Sequence, residues 1–107
     1  MDEIEQEFSE LMAAVYLQAR TEAKYNATIF ARMLAERGAL ETARYLLREP
    51  QVSSGFVALW ERGRLDLTVE AQVLANSKFW SLFEQRDLDT ARRWLKEYGY
   101  ESETGQS

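Results

Sequence analysis

Carboxylates are the main side chains in this sequence that could do chemistry. Asp66 and Glu70 stand four positions apart, a spacing that would put both on one face of a helix and would suit general acid–base catalysis. The same two residues also lie where a helix is expected to begin, and a capping role for Asp66 with a first-turn position for Glu70 is the simpler interpretation. Asp87 and Asp89 form only a fragment of a calcium-binding loop. The sequence therefore predicts neither a catalytic carboxylate pair nor a metal site.

The residue types that are missing exclude several classes of enzyme. The chain has no cysteine and no histidine, so it has no thiol nucleophile, no thiolate metal cluster and no imidazole base. Its five glycines are isolated from one another, whereas a phosphate-binding loop needs them clustered before a helix. We therefore expect a protein that is not an enzyme and that binds no cofactor.

Length and charge indicate one domain without a membrane segment. A chain of 107 residues buries roughly 60 to 70% of its unfolded surface and needs no disulfide. The longest apolar run, Leu11 to Leu17, has seven residues, far fewer than the ~18 to 20 of a membrane-spanning helix. Residues 1–10 carry five carboxylates and no base, unlike a signal peptide. We expect a single domain at 1–100, a frayed polar tail at 101–107 and a cytoplasmic location.

The spacing of apolar residues predicts an all-α fold, a compact orthogonal bundle of about six short helices with a longer N-terminal one. The predicted helices cover about 3–23, then Asn26 to Gly38, about 40–48, Ser53 or Ser54 to Gly63, a helix capped by Asp66 or Thr68, and about 86–97. The segment Leu65 to Val69 alternates like a strand, but we interpret it as a linker and helix start. Residues 79–83 are too short for an assignment.

Two features favour contact with a protein partner. The run Leu11 to Leu17 is apolar on every face of a helix, so helix 1 is either the central helix of the domain or pairs with a second chain. In the second case the contacts would come from Leu11, Met12, Val15 and Tyr16. The chain also has 12% aromatic residues, and Trp60 and Trp80 are candidate interface anchors, although core filling would explain them as well. These features favour a non-catalytic protein-interaction or regulatory module, self-associating through helix 1 or binding another protein.

Association with nucleic acid is the alternative. Residues 56–74 fit the outline of a helix-turn-helix motif, and Arg62, Arg64, Arg92 and Arg93 could contact phosphates. The second helix of that motif, however, has no Lys or Arg, and phosphate contacts supply most non-specific affinity.

Five short segments from about Tyr25 onward form a recognisable pattern, namely Tyr25–Thr28, Ser54–Phe56, Gly63–Ala71, Ala91–Arg92 and Tyr98–Tyr100, and Gly63–Ala71 is the most specific of them. In these segments the sequence resembles a widespread family of short bacterial all-α proteins with no known activity. Glu84 departs from the family pattern, which has threonine there. The resemblance implies a bacterial cytosolic helical protein and brings no catalytic or binding residue with it.

Overall fold

The computed structural model describes residues 2–100, so the tail predicted at 101–107 lies outside the described residues. Six α-helices and two short 3-10 helices make up this part of the chain, and it contains no strand. The α-helices are α1 (Glu3–Glu22), α2 (Thr28–Arg37), α3 (Ala39–Leu47), α4 (Ser54–Glu61), α5 (Val69–Ala75) and α6 (Gln85–Glu97), and the 3-10 helices are Leu65–Leu67 and Ser77–Leu82. The all-α prediction, with the longest helix at the N-terminus, is confirmed.

Short polar side chains begin several of the helices, as the sequence predicts. Ser53 and Thr68 each accept a hydrogen bond of 3.1 Å from the amide three residues on, which starts α4 and α5. The predicted cap of α2 is wrong. Ala27 holds that position without a side-chain hydrogen bond, because the Asn26 side chain instead accepts a hydrogen bond of 3.3 Å from the Tyr16 hydroxyl.

Helix α1 packs one face against the interior of the described fold. Phe8 and Met12 are fully buried in the largest hydrophobic cluster, among residues of α3, α5, α6 and the second 3-10 helix. Val15 and Ala19 form a second cluster with Leu59 and other apolar side chains. Within residues 2–100 the other side of the apolar run stays at the surface, where Ala13, Ala14 and Leu17 are exposed.

Helix α2 is peripheral. None of its residues is buried, and it packs on the largest cluster through the half-buried side chains of Phe30 and Leu34. It joins α3 directly through Gly38, whose φ is 84° and ψ is 164°, a backbone conformation that essentially only glycine adopts. The abrupt change of direction lets α2 lie over the body of the domain.

Two arginines, Arg44 within α3 and Arg48 just after its end, connect this helix to the C-terminal part of the fold. The Arg44 guanidinium donates hydrogen bonds of 3.2 and 2.8 Å to the carbonyl oxygen of Leu82. One turn later, Arg48 donates bonds of 2.9 and 2.8 Å to the two carboxylate oxygens of Asp87. Because Asp87 lies in the first turn of α6 and is fully buried, this bidentate pair fixes the start of that helix against α3.

Candidate binding site

The segment Gly63–Ala71 folds into a tight double turn. Gly63 has φ 71° just after α4, and the 3-10 helix that follows turns Leu65 and Leu67 into the core. The Thr68 hydroxyl donates a hydrogen bond of 2.7 Å to the Leu65 carbonyl oxygen and also caps α5. The first residues of α5 are thereby held inside the domain, whereas the start of a helix usually lies at the surface.

A cavity of about 80 Å³ lies between α1, α2, α4 and this segment. Its wall is mostly apolar and includes Val15, Phe30, Met33, Leu59 and Val69. Tyr16, Tyr25, Ser53, Ser54, Thr68 and Glu70 add polar groups. Such an apolar cavity with a few polar groups in its wall is typical of small-ligand sites.

Glu70 is the unusual residue of this wall. It is 2% exposed, and its burial raises the pKa of the carboxyl to about 7, a shift that a hydrogen bond from its own backbone N–H only partly offsets. Within residues 2–100 no cationic side chain forms an ion pair with it. The predicted alternative, an acid–base pair with Asp66, is not present, because Asp66 lies in the 3-10 helix and binds Arg64 instead.

The hydroxyls of the wall are mostly engaged elsewhere. Ser53 and Thr68 cap helices, and the Tyr16 hydroxyl donates to Asn26. Among the described residues no hydroxyl is hydrogen-bonded to Glu70, so the wall contains no ready nucleophile and base. The arrangement is suited to binding a group that complements a carboxylate.

Trp60 lies outside the cavity, at the end of α4. Its side chain is 45% exposed, and its ring meets that of Tyr98 edge to face, with the centroids 5.3 Å apart. Tyr98 in turn meets the buried ring of Phe56 at 5.0 Å. Val57, half-buried, lies one turn before Trp60 on the same helix face. We call Trp60, Tyr98 and Val57 the Trp60 surface.

The other candidate interface residues are less accessible than Trp60. Met12 and Val15 are 0% and 3% exposed, so the structure moves both from the candidate interface to the core, since they lie on the face of α1 that packs against the rest of the fold. Leu11 and Tyr16 are half-buried. Trp80 is also half-buried, and its indole N–H donates a hydrogen bond of 2.8 Å to the Val73 carbonyl oxygen.

The candidate nucleic-acid contacts are largely engaged within the protein. Arg64 binds the carboxylates of Asp66 and Glu22. Arg62 donates a hydrogen bond to the Ala58 carbonyl oxygen. Arg92 binds Asp89, while Arg93 is exposed.

Helix α5, the recognition helix of the suggested helix-turn-helix motif, has seven residues. Four of these seven are buried. A recognition helix must present its first turns to a groove, so α5 is poorly suited to that role.

No known family model matches the chain, and no curated protein or solved structure does either. The family resemblance therefore stays a prediction. Within residues 2–100, acidic side chains form no cluster of three that could hold a metal ion. No helix in the same range combines the length and apolar character needed to cross a membrane.

Sequence reasoning missed the cavity and the burial of Glu70. It placed Glu70 in the first turn of α5, where the structure has it, but in a solvated role. The only local signal is that Glu70 stands between Val69 and Ala71 in an otherwise apolar stretch, and that pattern also fits an exposed first turn.

Proposed function

We propose that the protein is a non-catalytic interaction module that binds a protein partner through the Trp60 surface. The observation that carries the proposal is the exposure of Trp60, 45%, on a domain whose other two tryptophans are buried or half-buried. A regulatory role in the bacterial cytoplasm belongs to the same proposal.

The geometry around Trp60 favours binding because the ring is already held in place. Its edge-to-face contact with Tyr98, and that of Tyr98 with the buried Phe56, restrict the rotamers of the exposed Trp60 ring and of the half-buried Tyr98 ring. Rigid aromatic anchors lose little conformational entropy on binding, and Trp and Tyr are enriched among the residues that dominate interface energies.

The indole N–H of Trp60 adds a directional contact. The Trp80 N–H is bonded to the Val73 carbonyl oxygen, but among residues 2–100 no acceptor is bonded to the Trp60 N–H. A partner that buries this ring therefore has to supply both an apolar pocket and a carbonyl or carboxylate acceptor. This requirement makes the surface selective.

The test is affinity capture from bacterial lysate with three baits, namely the wild type, Trp60→Ala and Tyr45→Ala. Tyr45 is the matched control, because it is a similarly exposed aromatic residue, 41%, on α3. Each bait is tested in lysate with and without nuclease, and a differently tagged copy of the chain is co-expressed to detect self-association. We expect the wild type and Tyr45→Ala to retain a protein partner that Trp60→Ala loses. A second copy of the chain would count as such a partner.

Two results would contradict the proposal. Equal recovery with all three baits would show that Trp60 is not the anchor. Recovery that disappears with nuclease in every bait would favour the nucleic-acid alternative, and exchange of exposed Arg93 for Glu would then be the next variant to compare.

A further inference from the structure

We propose that the cavity beside Glu70 is a binding site for a short primary alkylammonium group, with the Glu70 carboxylate as its counter-ion. The cavity is separate from the Trp60 surface, since Leu59 is in its wall and Trp60 is not. The proposal therefore does not depend on the function proposed above.

The charge of the ligand follows from the composition of the wall. The titratable side chains in it are Tyr16 from α1, Tyr25 from the α1–α2 loop and Glu70 from α5. The parts of α2, α3 and α4 that line it bring no Lys or Arg. A buried carboxylate without a cation is costly, and a ligand that carries an ammonium group removes that cost.

The size and polarity of the ligand follow from the cavity. Its volume is about 80 Å³ and it is partly open to solvent, so it admits a short chain whose far end can reach the opening. Val15, Phe30 and Met33 give it an apolar lining, so the ligand body is a short hydrocarbon chain. Tyr25 and Ser54 bring further oxygens to the wall, and an ammonium group has three N–H donors to share among them.

The backbone that carries Glu70 is held in place before any ligand arrives. Thr68 holds the start of α5 by donating to the Leu65 carbonyl oxygen at 2.7 Å and accepting from the Ala71 amide at 3.1 Å. Glu70 is 2% exposed between these anchors. Binding then needs little rearrangement of the protein, which favours affinity for so small a ligand.

The experiment is an NMR titration of the folded, full-length chain at pH 8 with n-butylammonium, 1-butanol and butyrate. We expect n-butylammonium to shift the amide resonances of Glu70, Val15 and Phe30 and to bind at least tenfold more tightly than 1-butanol, with no binding of butyrate. Equal affinity for the alcohol and the ammonium would overturn the proposal, and this comparison needs no variant.

Glu70→Gln supplies the second test. Because it removes the charge and keeps the shape, n-butylammonium affinity should fall roughly 10- to 100-fold, while the weak 1-butanol affinity is retained and shows that the cavity is intact. Glu61→Gln is the matched control, because Glu61 is exposed and outside the cavity wall, and it should leave both affinities unchanged. Undiminished ammonium binding by Glu70→Gln would overturn the proposal.

The pH dependence gives an independent readout. Because the pKa of Glu70 is about 7, the ionised fraction in the free protein rises about tenfold between pH 6 and pH 8. The affinity for n-butylammonium should rise by about the same factor in the wild type and stay flat in Glu70→Gln. A flat wild-type profile would contradict the assignment of Glu70 as the counter-ion.

An alkylammonium group belongs to free amines and also to lysine side chains. Titration with Nα-acetyl-lysine N-methylamide separates these sources. Binding of n-butylammonium alone assigns the site to free amines, and binding of both assigns it to a lysine side chain of another protein. Binding of neither overturns the proposal.

Discussion

At the scale of single residues, Glu70 makes the stability of the fold depend on pH. Its pKa is about 7 in the folded protein, against an ordinary value of 4.5. Between those values the folded state retains a proton that the unfolded state has released. The free energy of unfolding therefore falls as the pH rises from about 4.5 to 7, by at most roughly 3 kcal/mol.

We expect Glu70→Gln to remove this dependence. Urea unfolding of the wild type and the variant at pH 5 and pH 7.5 gives the difference in unfolding free energy, which should move in favour of the variant by roughly 2 to 3 kcal/mol between the two pH values. A difference that is the same at both pH values would mean that the carboxyl is not buried as described.

Asp87 makes the stability of the fold depend on pH in the opposite direction. Hydrogen bonds from Arg48 hold the pKa of this buried carboxyl below its ordinary value. The pair therefore stabilises the fold above about pH 4, and that stabilisation is lost as the pH falls through the lowered pKa.

Asp87→Asn should lower the free energy of unfolding at neutral pH by about 2 to 3 kcal/mol. The matched control is Asp89→Asn, on the same helix, because Asp89 is exposed and paired with Arg92 at the surface. The control should change stability by less than about 0.5 kcal/mol. If urea unfolding gives the same loss of unfolding free energy for both variants, Asp87 does not anchor α6.

At the scale of the elements, two glycines with different conformations give a direct comparison. Gly38, with φ 84°, joins α2 to α3, and a Cβ atom there would meet nothing within 4 Å. Gly38→Ala should therefore destabilise the protein through backbone strain alone, by roughly 1 to 3 kcal/mol. Gly55 lies in the first turn of α4 without a positive φ, and a Cβ atom there would lie 3.5 Å from the Tyr25 hydroxyl oxygen, an ordinary contact.

We expect Gly55→Ala to be neutral or stabilising by less than about 1 kcal/mol, since alanine favours the helix. Thermal unfolding of both variants measures the contrast. If the two variants have the same melting temperature, the junction between α2 and α3 is not strained as described.

The sequence is informative about helix boundaries because these depend on local chemistry. Ser53 and Thr68 cap α4 and α5, as their residue types and positions predict, and Gly38 ends α2. The failure at Asn26 has a tertiary cause, since the Tyr16 hydroxyl, ten residues earlier, donates to the side chain that would otherwise cap α2. Local propensity contains no information about such a partner.

At the scale of the whole molecule, the burial of one face of α1 predicts how a charge on each face would change the stability. Val15 is 3% exposed and Leu17 is 53% exposed. Val15→Glu should lower the free energy of unfolding by roughly 3 kcal/mol or more, because it places a carboxyl in an apolar cluster. Leu17→Glu, the control, should change it by less than about 0.5 kcal/mol.

Urea unfolding and light scattering together distinguish loss of folding from loss of association. A Val15→Glu variant that keeps wild-type stability but has a smaller solution mass would contradict the burial of Val15 in the core. That outcome would instead support the hypothesis that the protein self-associates through α1.

The candidate site could not be predicted because its parts are distant in the sequence. Val15, Phe30, Leu59 and Glu70 belong to four different helices and meet only after α1 has packed against the other helices and α5 is turned inward. No periodicity separates a core residue that faces a cavity from one that faces another side chain. The exposure of Trp60 was left open by the sequence for the same reason.

The three tryptophans occupy three different environments, and this makes the protein its own optical reporter. Trp94 is 4% exposed, Trp80 is half-buried with its N–H bonded, and Trp60 is 45% exposed. The fluorescence of Trp60 should lie at the longest wavelength and be the most readily quenched by iodide. A partner that covers Trp60 would then shift one component of the emission to the blue, whereas unfolding would shift all three to the red.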